Sequence, residues 1–267
     1  MRASTSFTGK RAGPPDRRAW ARTEPLSIRW PRSGTTRFEL VAPTLREDPL
    51  QLTEQVCTSF RQAAEEVGGR NAALHWALAG TDGYLTDSDP EVQERTVQII
   101  VHPAKIIYWL GGDIIVHGSP FQRNLLSHMT YPEAFDAAVK VYAKVVPQIA
   151  ELGVKVCIEQ LTPMEYNVFG SQPEVARFIA AVESQPGVSS GVLWHVIDTK
   201  ALLGSPRVDV ARAAELIREW GPRSAHCHLN DVNLYGPGCG RPAVPGTVRC
   251  ELSPELGAAR QGAHCER

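Results

Sequence analysis

The chain has 267 residues, of which 43% are hydrophobic and 21% are charged, and its formal net charge is −1. This composition is ordinary for a globular protein with one large core. The near-zero charge provides no overall field that would attract nucleic acid or an anionic membrane. No apolar run approaches the ~18 residues of a membrane span, so we expect neither nucleic acid nor a membrane as a partner.

The cysteines indicate a reducing compartment. None of the six is spaced as CxxC, and Cys157 and Cys227 lie inside apolar runs. A free cysteine in such a run behaves as a small hydrophobic residue. Because disulfides are rare in cytosolic proteins, we predict reduced thiols and a cytoplasmic protein.

Residues 1–37 lack the periodicity of a folded segment. They are rich in Arg, Pro, Ser and Gly and poor in acids. Transit leaders share this composition, but the prolines between residues 14 and 31 oppose an amphipathic helix. We therefore favour an irregular or disordered N-terminal segment, with residues 26–30 as one weak strand.

From residue 38 onward, strand-like apolar runs alternate with helical patterns. The strand-like runs are 38–42, 72–79, 113–118, 154–161, 191–198 and 224–231. The helical patterns are 52–67, 89–110, 132–152, 173–182 and 208–220. We expect Pro103 to kink or split the second helix. Strands and helices alternating at this period form parallel βα units, which wind with one hand into a barrel or a doubly wound sheet.

After residue 240 this pattern fails. Residues 241–267 contain no strand-like run and no strong helical face, although an eight-unit barrel would need its last βα pair there. We therefore predict an α/β fold of the (β/α)8 TIM-barrel type, incomplete at both ends. The barrel would occupy residues 38–240, with irregular segments at 1–37 and 241–267.

Three strand-like runs carry potential metal ligands, namely Glu159, Asp198 and His228. The carboxyl ends of parallel strands collect functional groups at one rim. A ligand set of two oxygens and one nitrogen is more typical of Mn, Mg or Co than of zinc bound by thiolates. Glu159 could instead be a capping or salt-bridge group, and Asp198 could cap a helix that begins at Thr199. His226 lies on the same strand face as His228, and only one of the two need be a ligand.

Six short segments occur in order at the predicted strand ends or in the loops that follow them. They are 73–78 (Ala-Leu-His-Trp-Ala-Leu), 116–123 (Val-His-Gly-Ser-Pro-Phe-Gln-Arg), 157–165 (Cys-Ile-Glu-Gln-Leu-Thr-Pro-Met-Glu), 197–201 (Ile-Asp-Thr-Lys-Ala), 226–231 (His-Cys-His-Leu-Asn-Asp) and 236–240 (Gly-Pro-Gly-Cys-Gly). Together they resemble the sugar phosphate isomerase/epimerase superfamily, whose members are xylose isomerase-like TIM barrels. The resemblance is closest to ketose 3-epimerases of the D-tagatose/D-psicose type.

The resemblance implies a divalent metal (Mn, Mg or Co) held by Glu159, Asp198 and His228, with Glu159 also catalytic. The substrate-binding residues would be Glu165, His75, Trp76, His117 and Arg123. Of these, only Glu165 matches a family glutamate that contacts substrate hydroxyls. His75 and His117 could equally be core histidines, and Trp76 could be a core residue. Arg123 could hold an anionic substrate or face water.

The family's fourth ligand is a glutamate on the last strand, and no matching context occurs here. Glu251, Glu255 and Glu266 are available, but none lies in an apolar run. Ala201 and Leu234 stand where ketose epimerases usually have a histidine and an arginine. These departures leave the sugar, and whether it is phosphorylated, unspecified.

Epimerisation beside a carbonyl requires a proton to leave one face of the sugar and return to the other. A metal that binds the carbonyl and hydroxyl oxygens would stabilise the enediolate, and two carboxylates could exchange the proton. We therefore predict a metal-dependent sugar or sugar phosphate isomerase or epimerase with a small-molecule sugar as its partner. A homo-oligomer is left open.

Two alternatives belong to other classes. One is a defective or non-catalytic barrel fragment. The other is an endonuclease of the related three-zinc barrel type, similar to endonuclease IV, which cleaves DNA at abasic sites. The endonuclease would need more His and Glu ligands and a basic face, which the net charge of −1 does not indicate.

Overall fold

The computed structural model describes residues 36–41, 45, 48–162, 168–205 and 208–229. The strands among them are β1 (Thr36–Val41), β2 (Gly69–His75), β3 (Ile114–His117), β4 (Lys155–Glu159), β5 (Leu193–Asp198) and β6 (Ser224–His228). The α-helices are α1 (Glu54–Glu66), α2 (Pro90–Trp109), α3 (Tyr131–Ala150), α4 (Gln172–Glu183), α5 (Thr199–Leu203) and α6 (Val210–Trp220). None of these helices is both long enough and apolar enough to cross a membrane.

The strands form one parallel sheet in the order β1-β2-β3-β4-β5-β6. In a flat sheet of this order, β1 and β6 would lie about 24 Å apart, since neighbouring strands are ~4.8 Å apart. Yet Oε1 of Glu39 on β1 lies 3.0 Å from Nε2 of His228 on β6. The sheet therefore curls, and the described residues form an incomplete (β/α)8 barrel, as predicted.

The predicted elements from residue 38 to residue 228 are present, with shifted ends. β1 begins at Thr36, two residues before the predicted boundary of the barrel. The predicted strand at 72–79 is displaced, because the strand ends at His75 and Trp76 adopts a positive φ of 64°. Residues 36 and 37 of the predicted irregular segment 1–37 thus belong to β1. The rest of that segment, including the weak strand at 26–30, and the predicted irregular segment 241–267 lie outside the described residues.

Helix α2 runs unbroken past Pro103, so Pro103 does not split it. A proline inside a helix costs about 3 kcal/mol because it removes a hydrogen bond and clashes with the preceding turn. Here the helix buries Ile100, Ile106 and Ile107 completely. Each fully buried side chain of this size contributes roughly 1.5–3 kcal/mol, so packing against the sheet outweighs the local cost.

The sheet has two apolar faces. Leu74, Ile115, Val156 and Ile158 belong to the large core between the strands and the helices. The alternating residues form a smaller cluster inside the barrel: Ala73, Ile114, Val116, Cys157 and Val196. Side chains along a strand alternate between its two faces. The next residues on the inner face, at the carboxyl ends of the strands, are therefore His75, Gly118, Glu159, Asp198 and His228.

The cysteines within the described residues are free thiols. Cys57 and Cys157 are buried, as expected for small hydrophobic residues. Cys227 is exposed, which corrects its assignment to a buried run. Its neighbours on β6, His226 and His228, occupy the inner face, so Cys227 points to the outer side of the sheet.

Candidate metal centre

Glu159 lies at the end of β4 with only 3% of its surface exposed. Its Oε1 is 2.6 Å from Nδ1 of His228, and its Oε2 is 3.2 Å from Nε2 of His75. A Cβ atom on Gly118 would lie 2.2 Å from Oε2 of Glu159. The carboxylate can therefore occupy this position only because residue 118 has no side chain.

His228 connects the carboxylates of the site. Its Nδ1 faces Glu159 and also lies 3.5 Å from Oδ2 of Asp198. One ligand atom from each of these three buried residues lies within 4.8 Å of the others. The structure thus brings together the three residues predicted from separate strands.

Asp198 caps a helix and at the same time faces the other candidate ligands. Its Oδ1 accepts a hydrogen bond of 2.9 Å from the backbone N–H of Ala201, so it caps helix α5. Its Oδ2 faces His228. The helix cap fixes the carboxylate group and leaves the second oxygen directed at the site.

The surroundings of Glu159 favour its ionised form. Burial raises the pKa of Glu159, but hydrogen bonds from His228 and His75 outweigh it and leave that pKa well below its ordinary value. Burial lowers the pKa of His228, yet hydrogen bonds to Asp198, Glu159 and Glu39 raise it to about 12. The hydrogen bond between Glu159 and His228 therefore favours the charged form of each partner.

Glu39 on β1 belongs to the site, and the sequence did not single it out. Its Oε1 lies 3.0 Å from Nε2 of His228, 3.3 Å from Nε2 of His226 and 3.8 Å from Nδ1 of His75. Burial raises its pKa, but hydrogen bonds from His226 and His228 lower it to about 2. One signal was present in the sequence, namely an acid inside the apolar run Phe38-Glu-Leu-Val.

Two of the predicted substrate-binding residues line the rim. His75 contacts Glu159 and its side chain is 18% exposed. Trp76 follows it, is 44% exposed and makes an edge contact with the His75 ring at 6.1 Å between centroids. Trp76 is therefore not a core residue. Glu165 lies outside the described residues.

His117 and Arg123 point away from the inner face. His117 is buried, and its Nδ1 forms a hydrogen bond with the hydroxyl of Tyr142 on helix α3. Arg123 is completely buried and does not face water. Its guanidinium donates hydrogen bonds to the backbone carbonyls of His117 at 3.2 Å and Glu159 at 2.7 Å. The structure thus places both residues behind the strand ends, where Arg123 joins β3 to β4.

The donor set fits a divalent metal. Two carboxylate oxygens and one imidazole nitrogen are the ligands that Mn and similar ions accept. Glu159 and Asp198 are anchored by hydrogen bonds and are buried, so little side-chain freedom would be lost on binding. Within the described residues, a second group of potential ligands comprises Glu39, His75 and His228, and it shares His228 with the first.

Residues 32–247 match the family described as the xylose isomerase-like TIM barrel. The chain therefore belongs to this family. No curated protein matches the sequence at a significant level.

Several solved structures share the fold. A D-psicose 3-epimerase determined in the presence of D-fructose is 17% identical, with a TM-score of 0.59, over 73% of this chain and 63% of that one. D-psicose 3-epimerase from Clostridium cellulolyticum H10, determined with D-tagatose, is 16% identical with a TM-score of 0.59, over 74% and 64%. An L-ribulose 3-epimerase is 18% identical with a TM-score of 0.58, over 74% and 60%. The chain thus spans less than two thirds of the length of each, and at these identities the likeness establishes the fold.

Proposed function

We propose that the protein is a metal-dependent sugar isomerase or epimerase. The observation that carries this proposal is the convergence of Glu159, Asp198 and His228 at the carboxyl ends of three strands. Membership of the xylose isomerase-like family supports it. So does the fold shared with structures whose names describe epimerases of D-psicose and L-ribulose.

In this proposal Glu159, Asp198 and His228 hold the ion, which is Mn, Mg or Co. When bound, such an ion supplies Lewis acidity that stabilises negative charge on the sugar's oxygens. Glu159 would accept the proton from the carbon beside the carbonyl, and a further carboxylate would return a proton to the opposite face of that carbon. His75 and Gly118 keep its carboxylate at the rim, where Trp76 offers an apolar ring to the sugar.

The two remaining predicted substrate residues take other roles. Arg123 supports the backbone at Glu159 from behind, so we assign it to positioning and not to an anionic group of the substrate. His117 likewise stabilises β3 against helix α3. Glu165 stays a proposed contact for substrate hydroxyls, and Glu251, Glu255 and Glu266 stay the candidates for a further carboxylate.

The test combines metal binding with turnover. Mn should raise the melting temperature of the wild-type chain, and chromatography should detect 3-epimerisation of free ketohexoses with Mn present. Glu159→Gln should abolish both effects, because it removes a charged ligand and the base. The exposed Glu94→Gln is the matched control, since Glu94 pairs with Lys144 on the helical surface, away from the site.

Two results would contradict the proposal in different ways. If Mn leaves the melting temperature unchanged, there is no metal site. If Mn binds but no ketose or ketose phosphate is turned over, the chain is a non-catalytic barrel that retains a metal pocket.

An endonuclease remains the second candidate because of one observation. The group Glu39, His75 and His228 provides the additional His and Glu ligands that a multi-zinc barrel needs. Nicking of DNA that contains an abasic site, together with more than one bound zinc per chain, would favour the endonuclease over the epimerase.

A further inference from the structure

We infer that Glu39 is a positioning residue that holds the His228 ring with Nδ1 facing the metal ligands. The inference rests on the proposed metal site. It adds a residue from β1, the strand farthest from β6 in the sheet order.

The two ring nitrogens of His228 have different surroundings. Nδ1 lies 2.6 Å from Oε1 of Glu159 and 3.5 Å from Oδ2 of Asp198. Nε2 lies 3.0 Å from Oε1 of Glu39. The other two ligands are therefore on the Nδ1 side of the ring, and Glu39 is on the opposite side.

A histidine that binds a metal is neutral and has one ring proton. If Nδ1 is the ligand, that proton is on Nε2, and an acceptor in line with it fixes both the tautomer and the ring plane. Carboxylates commonly accept this hydrogen bond from metal-binding histidines, and their removal typically costs 10–100-fold in metal affinity. Glu39 has the charge and the distance for this role.

Two further imidazole rings lie close to the Glu39 carboxylate. Nε2 of His226 and Nδ1 of His75 lie 3.3 and 3.8 Å from the same oxygen. Because β1 and β6 are the two edges of the described sheet, the pair Glu39–His228 also bridges the opening of the curled barrel. A carboxylate on β1 thus fixes a ligand on β6.

Glu39 has one competing role, as a direct ligand of a second ion together with His75 and Nε2 of His228. The two roles exclude each other, because Nε2 cannot donate a proton to Glu39 while its lone pair binds a metal. They also predict different numbers of bound ions, namely one for the positioning role and two for the ligand role.

The experiment compares wild type, Glu39→Gln, Glu39→Ala and the exposed control Glu94→Ala. Isothermal titration with Mn gives affinity and stoichiometry. ¹⁵N-histidine NMR of the Zn-loaded, diamagnetic protein identifies which nitrogen of His228 has the proton. We expect one ion per chain and a proton on Nε2 in the wild type.

Glu39→Ala should weaken Mn binding about 10–100-fold. Glu39→Gln should recover most of this loss, because its amide oxygen still accepts the Nε2–H hydrogen bond. Glu94→Ala should leave binding unchanged. If Glu39→Ala fails to fold, the glutamine variant and the wild-type NMR spectrum still decide the question.

Three results would overturn the inference: unchanged affinity in Glu39→Ala, coordination of His228 through Nε2, or a second ion lost in the Glu39 variants. All three presuppose that the wild type binds metal, so they leave the proposed function standing. If the wild type binds no Mn, the proposed function fails first, and the inference fails with it.

Discussion

Replacing Gly118 with alanine tests whether the position of the Glu159 carboxylate matters. The new Cβ would lie 2.2 Å from Oε2 of Glu159 and 3.0 Å from Nε2 of His75. Gly118 does not have a positive φ, so alanine introduces no backbone strain and the effect is steric. To reach ordinary van der Waals contact, Oε2 has to retreat by about 1 Å.

That displacement acts on both binding and catalysis. The hydrogen bond between Glu159 and His75 would be lost, and charged hydrogen bonds of this kind contribute about 1.5–3 kcal/mol. A misplacement of about 1 Å typically costs ~10²-fold in rate. We therefore expect Gly118→Ala to bind Mn at least about tenfold more weakly and to lose most turnover, while the far-UV circular dichroism spectrum stays that of the wild type.

Gly221→Ala is the matched control. A Cβ on Gly221 meets no atom within 4 Å, and this glycine lies away from the rim, before β6. Calorimetric titration with Mn measures both variants. If Gly118→Ala binds Mn as tightly as Gly221→Ala does, Glu159 is not a ligand in the observed position.

Three further predictions concern single residues. The Asp198→Asn variant should keep its hydrogen bond to the N–H of Ala201, because the amide oxygen still accepts it. Its melting temperature should therefore stay that of the wild type, while calorimetry should show weaker Mn binding. A large fall in stability would contradict the separation of the capping and metal-binding roles. Arg123→Met should destabilise the fold by roughly 3 kcal/mol in urea unfolding, because two buried carbonyls lose a charged donor; an unchanged midpoint would contradict this. His195 is buried and forms a 2.6 Å hydrogen bond with Gln172, and burial lowers its pKa from 6.5 to about 4. Between these values the unfolded chain binds a proton that the folded chain does not, so the free energy of unfolding should fall as the pH drops from 6.5 to 4, by at most about 3 kcal/mol. The His195→Gln variant should show a shallower decline in pH-dependent urea unfolding, and an equal slope would refute the assignment.

The sequence alone determined the succession of strands and helices and three residues of the site. Each of these is a local property. Apolar periodicity follows from the geometry of a single strand or helix, and Glu159, Asp198 and His228 are recognisable because each lies near the end of its own strand. The parallel arrangement then places such ends at one rim without any knowledge of packing.

The tertiary structure decided which other residues join the site. His117 is the last residue of β3 and its side chain faces the helices, whereas Gly118, the next residue, lies against Glu159 on the inner side. Arg123 is hydrophilic, yet the fold buries it, because two strand-end carbonyls accept its hydrogen bonds.

Glu39 shows most clearly that site membership depends on the tertiary structure, because it is 189 positions away from His228 in the sequence. The local sequence around either residue does not predict their contact. The contact exists only because the sheet curls until β1 and β6 approach each other. Curling depends on the accumulated twist of all the strands and on the helices packed around them. The hydrophobic pattern of a single segment therefore cannot predict the curling of the sheet.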